Sequence, residues 1–487
     1  MWRTPCLNAA LQLISNQSGK AMKKIIKIGK NDPAILYRLI WRWHFYAGLF
    51  VMPMVLLLAL TGAIYLFKPQ VERWEERAYQ NLTAEGAVGA NAQMDAALAA
   101  VPGAILHSYR LPEKPGDAAM VHVALADGKT MRDIFVSPQG KLLGILDPEA
   151  RVMEIVHDIH GQLMIGKAGS WIVELAASWA IVMILTGLVL WWPRGRGLAG
   201  TLWPRLSAGK RMFLRDLHAV TGFWVAGLAL VLLLTGLPWA EVWGSAFKAV
   251  RTEMGWVKGT QDWTIGGKAA DAADHADHQP HDHMAMLAHE RRQGGPLSGV
   301  TLQDIVTKAE AAQLAFPVIV TPPGAPQAFG APPRSEWTVR SDAQNRPLRT
   351  TLSFDPMTGA QTAREDFADK HVIDRVIGYG IAWHEGQLFG PINQAIGVLT
   401  ALALMAMSVT GFLLWRKRKP VDALGAPPAV QHAPRPALWA AIVLLFCLLP
   451  LFAASLTLVI LVERLVLRRF PIIAHWLGTG QGGPQES

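Results

Sequence analysis

The chain has 487 residues, 51% of them hydrophobic and 19 of them tryptophan, with a formal net charge of +9 and a mean hydropathy of +0.23. This apolar content excludes an ordinary soluble enzyme and points to an integral membrane protein. The positive charge is no nucleic-acid footprint, because the basic residues stand in blocks beside long apolar runs.

Residues 1–38 form an N-terminal arm. Residues 1–43 carry eight Lys or Arg against one Asp. The apolar run 7–14 is too short and broken for a cleavable signal peptide, so the first span is expected to serve as an uncleaved signal anchor, with Met22 an alternative start. Five uncharged runs of 18 to 27 residues follow, at 45–67, 175–192, 219–240, 391–415 and 436–462. Each is long enough to cross a hydrocarbon core of about 30 Å as a helix. Spans are therefore expected at 39–67, 171–192, 217–240, 391–415 and 436–462. The loop 193–216 carries six basic residues and Arg416–Lys419 adds four, so by the positive-inside rule these segments and the arm are cytoplasmic. A linker at 416–435 and a tail at 463–487 complete the chain. The long loops 68–170 and 241–390 then face the periplasm of a bacterial inner membrane.

Each long loop reads as a small α+β module. In the first, residues 91–100 have helical periodicity and 105–111, 120–125 and 133–137 are strand-like; in the second the order recurs at 302–314, 318–321, 337–340 and 350–354. A polar helical stretch follows each module. The second loop also carries an insertion at 271–290 with His275, His278, His281, His283 and His289 in or beside it, read as a solvated segment or a weak metal-collecting loop. Cys6 in the arm and Cys447 in the last span do not form a disulfide, and the absence of Cys-x-x-Cys-His excludes covalent c-type haem.

The chain repeats itself. His44, Gly48, Thr61 and Gly62 recur at the same spacing as His218, Gly222, Thr235 and Gly236, and His160 and His384 each precede a Thr-Gly, at Thr186 and Thr410, by 26 residues. Four spans thus descend from an internal duplication, and the fifth lies outside it. His44 and His218 share the cytoplasmic face; His160 and His384 share the other. Two imidazoles near each surface suit two non-covalent b-type haems, one between His44 and His218 and one between His160 and His384. His157 competes with His160, and the match to His384 favours His160. Gly48 and Gly222, one turn beyond their histidines, would let a flat macrocycle approach, whereas the Thr-Gly pairs are expected to serve helix packing. Glu174, the one acid close to a span, could relay protons, but its interfacial position leads us to expect simple solvation. His107, His122, His371, His432 and His475 lack counterparts and are expected at the surface.

The opening Trp41-Arg-Trp-His-Phe-Tyr-Ala-Gly48, Thr61-Gly62, Phe135-Val-Ser-Pro-Gln-Gly140, His160-Gly-Gln-Leu and Asp216-Leu-His-Ala-Val-Thr-Gly222 resemble the PepSY-associated transmembrane proteins over roughly residues 35–418. The resemblance implies an α-helical membrane protein with two periplasmic PepSY-like modules, and relatives that include b-haem reductases of ferric siderophores. It implies a ferric siderophore or other ferric chelate as partner, with a quinol or redox protein as electron donor, since no Gly-x-Gly-x-x-Gly nucleotide motif follows a strand. The His-rich insertion and the fifth span depart from the pattern. A regulatory PepSY protein without redox activity and a copper-handling or other metal-handling membrane protein remain the alternatives.

Overall fold

The computed structural model describes residues 33–127, 130–193, 197–256, 299–325, 334–427 and 436–479. The histidines of the 271–290 insertion, His432 and the arm before residue 33 lie outside the described residues. Helices α1 (Pro33–Tyr65), α2 (Lys68–Glu75), α3 (Ala90–Ala100), α4 (Val152–Gln162), α5 (Lys167–Trp191), α6 (Lys210–Gly236), α7 (Glu241–Glu253), α8 (Leu302–Ala311), α9 (Val372–His384), α10 (Pro391–Arg418), α11 (Pro436–Leu448), α12 (Pro450–Leu465) and α13 (Pro471–Leu477) follow in order. Among the described residues five helical segments are long and apolar enough to cross a membrane: Ile35–Tyr65, Lys167–Trp191, Lys210–Trp239, Pro391–Arg418 and Pro450–Arg469.

The uncharged run 436–462, expected as one span, is two helices. Pro450 is the cause: it lacks an N–H, and its ring drives the preceding Leu449 out of helical geometry, to φ −130 and ψ 85. Pro450 then opens α12 at the first-turn position where proline is tolerated.

The chain divides into two compact units, one of Met1–Pro53, Ser178–Ala226 and Ala406–Ser487, the other of Met54–Ala177 and Gly227–Met405. In the first unit, Phe452 of α12 is fully buried and packs edge-on to Trp179 of α5 at 4.9 Å between ring centres. Trp179 Nε1 donates to Ser455 Oγ at 2.9 Å. The C-terminal segment is tied to α1: the Arg42 guanidinium donates to the carbonyls of Pro427 (2.6 Å) and Gly478 (2.8 Å), and the Tyr46 hydroxyl donates to that of Leu477 (2.5 Å). Asp216, fully buried, is held by a two-pronged Arg205 at 2.6 and 2.8 Å.

The second unit contains an antiparallel sheet of eight strands in the order β4-β3-β2-β1-β5-β6-β7-β8. Strands β1 (Ile105–Arg110), β2 (Ala119–Ala124), β3 (Met131–Val136) and β4 (Leu142–Leu146) come from the first loop; β5 (Val318–Thr321), β6 (Trp337–Ser341), β7 (Thr350–Phe354) and β8 (Gln361–Asp366) come from the second. The two expected modules are therefore halves of one sheet, joined where Tyr109 faces Val320 and Arg110 faces Ile319. Helices α3 and α8 cover one face, and a single core runs through both halves, including Ala97, Tyr109, Val121, Ile134, Ile305, Val320, Val339 and Leu352. Pairing covers one edge of each half, β1 of the first and β5 of the second, that would otherwise be open.

The two outermost strands escape the sequence reading. β8 is Gln-Thr-Ala-Arg-Glu-Asp and mostly exposed, so it carries no apolar alternation. β4 is apolar but interrupted by Gly144 and partly exposed. Each pairs through a tight hairpin whose glycine, Gly140 or Gly359, has a left-handed φ of 78 or 67.

Candidate haem-binding histidines

His160 lies in the last turn of α4, which Leu163 at φ 51 caps. The chain then turns back so closely that a Cβ on Gly169 would lie 1.7 Å from the Gln162 carbonyl oxygen, a position only glycine can fill. His384 ends α9. Beyond it Gln387 and Gln394 donate to the Leu66 carbonyl at 3.2 and 2.9 Å, tying the turn to the end of the first span.

All four repeated histidines meet a Thr-Gly pair. Nδ1 of His44 lies 3.1 Å from Thr186 Oγ1, that of His160 2.9 Å from Thr61, that of His218 3.1 Å from Thr410 and that of His384 3.1 Å from Thr235. Each hydroxyl donates its one proton to the carbonyl four residues earlier: Val182 (2.7 Å), Leu57 (2.8 Å), Ala406 (2.8 Å) and Val231 (2.8 Å). Toward the ring it can then only accept, so Nδ1 carries the proton. Nδ1 of His44 and His218 also lies 3.0 and 3.1 Å from the carbonyls of Met183 and Met407, which require the same tautomer. Nε2 is left as a lone-pair donor, the state in which imidazole binds a metal.

The glycine of each pair makes room for the ring. A Cβ at Gly62, Gly187, Gly236 or Gly411 would stand 3.2, 3.1, 3.5 or 3.4 Å from Cε1 of His160, His44, His384 or His218. The Thr-Gly motifs, expected to serve helix packing, thus hold histidines. Sequence spacing could not show this, because every partner lies on a different helix. Gly48 and Gly222 also differ from the expected picture: the space beside Gly48 is taken by Met183 Sδ at 3.8 Å from a built Cβ, and beside Gly222 Met407 Cε would be at 2.9 Å. Both glycines admit a methionine of a neighbouring helix.

In the second unit His160 and His384 face each other with ring centres 6.3 Å apart and planes at 81°. A metal bonded at about 2.0 Å to one nitrogen of each of two rings on opposite sides puts their centres about 6 Å apart, so this separation fits. Burial, with His384 and His157 beside it, holds the His160 imidazole far below its ordinary range, at about 3; burial also lowers His384. Both rings are neutral, as ligands must be. His157 instead packs against the Tyr65 ring at 5.8 Å. Among the described residues no group of three or more His, Cys, Asp or Glu is arranged to hold a metal ion; His160 and His384 meet as a pair.

Several charged residues have structural roles that the sequence did not reveal. Glu174, expected at a solvated interface, is buried and accepts from the backbone N–H groups of Val242 (2.9 Å) and Trp243 (3.1 Å), the unsatisfied first turn of α7. Arg251 and Asp374 form an ion pair at 2.7 Å, both almost fully buried. His107 and His122, expected at the surface, touch edge to face at 5.0 Å, and His122 Nδ1 is 2.6 Å from the buried carboxylate of Asp133. His371 caps α9 by accepting from the Ile373 N–H at 3.3 Å.

No curated protein matches the chain. The family model described as the PepSY-associated TM region matches residues 41–418, and the chain belongs to that family of membrane proteins.

Proposed function

We propose that this protein is an inner-membrane electron-transfer protein with two b-type haems, which reduces a ferric siderophore or another ferric chelate in the periplasm for iron uptake. The observation that carries this reading is the fourfold arrangement of half-buried imidazoles whose Nδ1 is engaged by a threonine and whose Nε2 is left to ligate. In this reading His44 and His218 hold one iron and His160 and His384 the other. Haem, when bound, supplies reversible one-electron transfer.

The chain supplies ligation, tautomer control and apolar surroundings. The basic blocks of the sequence orient the His44 and His218 end toward the cytoplasm and the sheet domain toward the periplasm. The internal duplication accounts for the recurrence of each His–Thr pair. Electrons enter from a quinol or redox protein on the cytoplasmic side and leave at the His160 and His384 end to the chelate. Reduction loosens the chelate because ferrous iron binds hard oxygen ligands more weakly than ferric iron.

The test is a reduced-minus-oxidised spectrum and a pyridine haemochrome count on protein purified from haem-replete cells, followed by reoxidation of the reduced protein with a ferric chelate. Two haems per chain and fast reoxidation are expected. A preparation without a Soret band overturns the proposal.

A further inference from the structure

The hydrogen bonds around His160 and His384 fix more than the tautomer. Rotation of an imidazole about its Cβ–Cγ bond is soft and broadly two-fold, so a lone histidine ligand would turn to suit whatever it binds. Here each ring is held at Nδ1 by a hydroxyl that is itself fastened to its own helix: Thr61 by Leu57, Thr235 by Val231. The anchors stand on different helices, α1 for His160 and α6 for His384. The rings are consequently set at 81° to one another.

We infer that Thr61 and Thr235 are positioning residues that hold His160 and His384 as a crossed pair of axial ligands, fixing the electronic character of the periplasmic-side centre. This rests on the haem reading above and deepens it. Crossed imidazoles donate to perpendicular iron d orbitals, which keeps those orbitals close in energy; parallel imidazoles split them. A ferric low-spin iron between crossed rings therefore gives a strongly anisotropic electron paramagnetic resonance signal, and between parallel rings a rhombic one. The Nδ1–H bonds also raise the electron-donating power of the ligands, which favours the ferric state.

The experiment uses the full-length oxidised protein with its haems bound, and compares wild type with Thr61→Val, Thr235→Val and Thr61→Ser. Valine keeps the shape and removes the hydroxyl acceptor, leaving each ring only the backbone carbonyl of Leu58 or Leu232; serine restores the hydroxyl. The wild type and Thr61→Ser are expected to show a strongly anisotropic signal, which Thr61→Val and Thr235→Val shift toward the rhombic type together with a change in midpoint potential. Thr186→Val and Thr410→Val should leave that signal in place. A wild-type protein with only rhombic signals, or an anisotropic signal unmoved in haem-loaded Thr61→Val and Thr235→Val, overturns the inference and leaves the haem reading standing. A wild type that binds no haem removes both.

Discussion

The imidazole of His160 and the hydroxyl of Thr61, 99 residues apart in the chain, meet at 2.9 Å. The same bond joins His384 to Thr235 across 149 residues, at 3.1 Å. In both cases a helix with histidine in its last turn is keyed to a membrane-spanning helix at its Thr-Gly.

Removing one ligand should empty one centre and spare the other. His160→Ala or His384→Ala is expected to reduce the pyridine haemochrome count from two per chain to one, and His44→Ala or His218→Ala to do the same at the other centre. His157→Ala should keep both. Loss of haem in His157→Ala with retention in His160→Ala would reverse the assignment.

Protonation of His160 opposes folding. Its imidazole is held at about 3 in the folded chain against an ordinary 6.5, so the unfolded chain binds this proton more readily. The stability present above about pH 6.5 is lost progressively as pH falls toward 3. Thermal unfolding of the haem-free protein at pH 7.5 and pH 5 should show a steeper loss in wild type than in haem-free His160→Asn, where this group is gone.

The Arg251–Asp374 pair is expected to matter through what its disruption leaves behind. Arg251→Met strands a buried carboxylate, at a cost of roughly 3–5 kcal/mol. Chemical denaturation monitored on the sheet domain would measure it, and a change below about 1 kcal/mol, the range of exposed pairs, would show that the pair is not isolated from water.

Glu174→Ala removes the acceptor for two amides at the start of α7, and about 1 to 2 kcal/mol of stability should go with it. The haem count should be unchanged, since Glu174 touches none of the four histidines. A proton-relay role would instead lower chelate reduction while leaving the melting temperature where it was.

Tyr109, buried at the seam of the two half-sheets, donates to Gln93 Oε1 at 2.5 Å. Tyr109→Phe should cost about 1 kcal/mol in thermal unfolding, without altering haem content.

The first four spans and the inner strands were legible because each has its own local signal: an uncharged run long enough to cross a bilayer, or alternating apolar residues beside a turn. The edge strand β8 was not, since a strand exposed on its faces needs no apolar period. Pro450 was visible within the fifth run, but whether a proline kinks a helix or ends it depends on what packs against it.

The order of residues was enough to identify a membrane protein, to group four histidines, and to show that they recur with a Thr-Gly at constant spacing. Which threonine serves which histidine, that the two half-sheets share one core, and that Glu174 is a cap emerged from the packed chain alone. Spacing along a chain reports partners on the same helix face or strand; a hydrogen bond between separate helices depends on how those helices pack, and no local period encodes that.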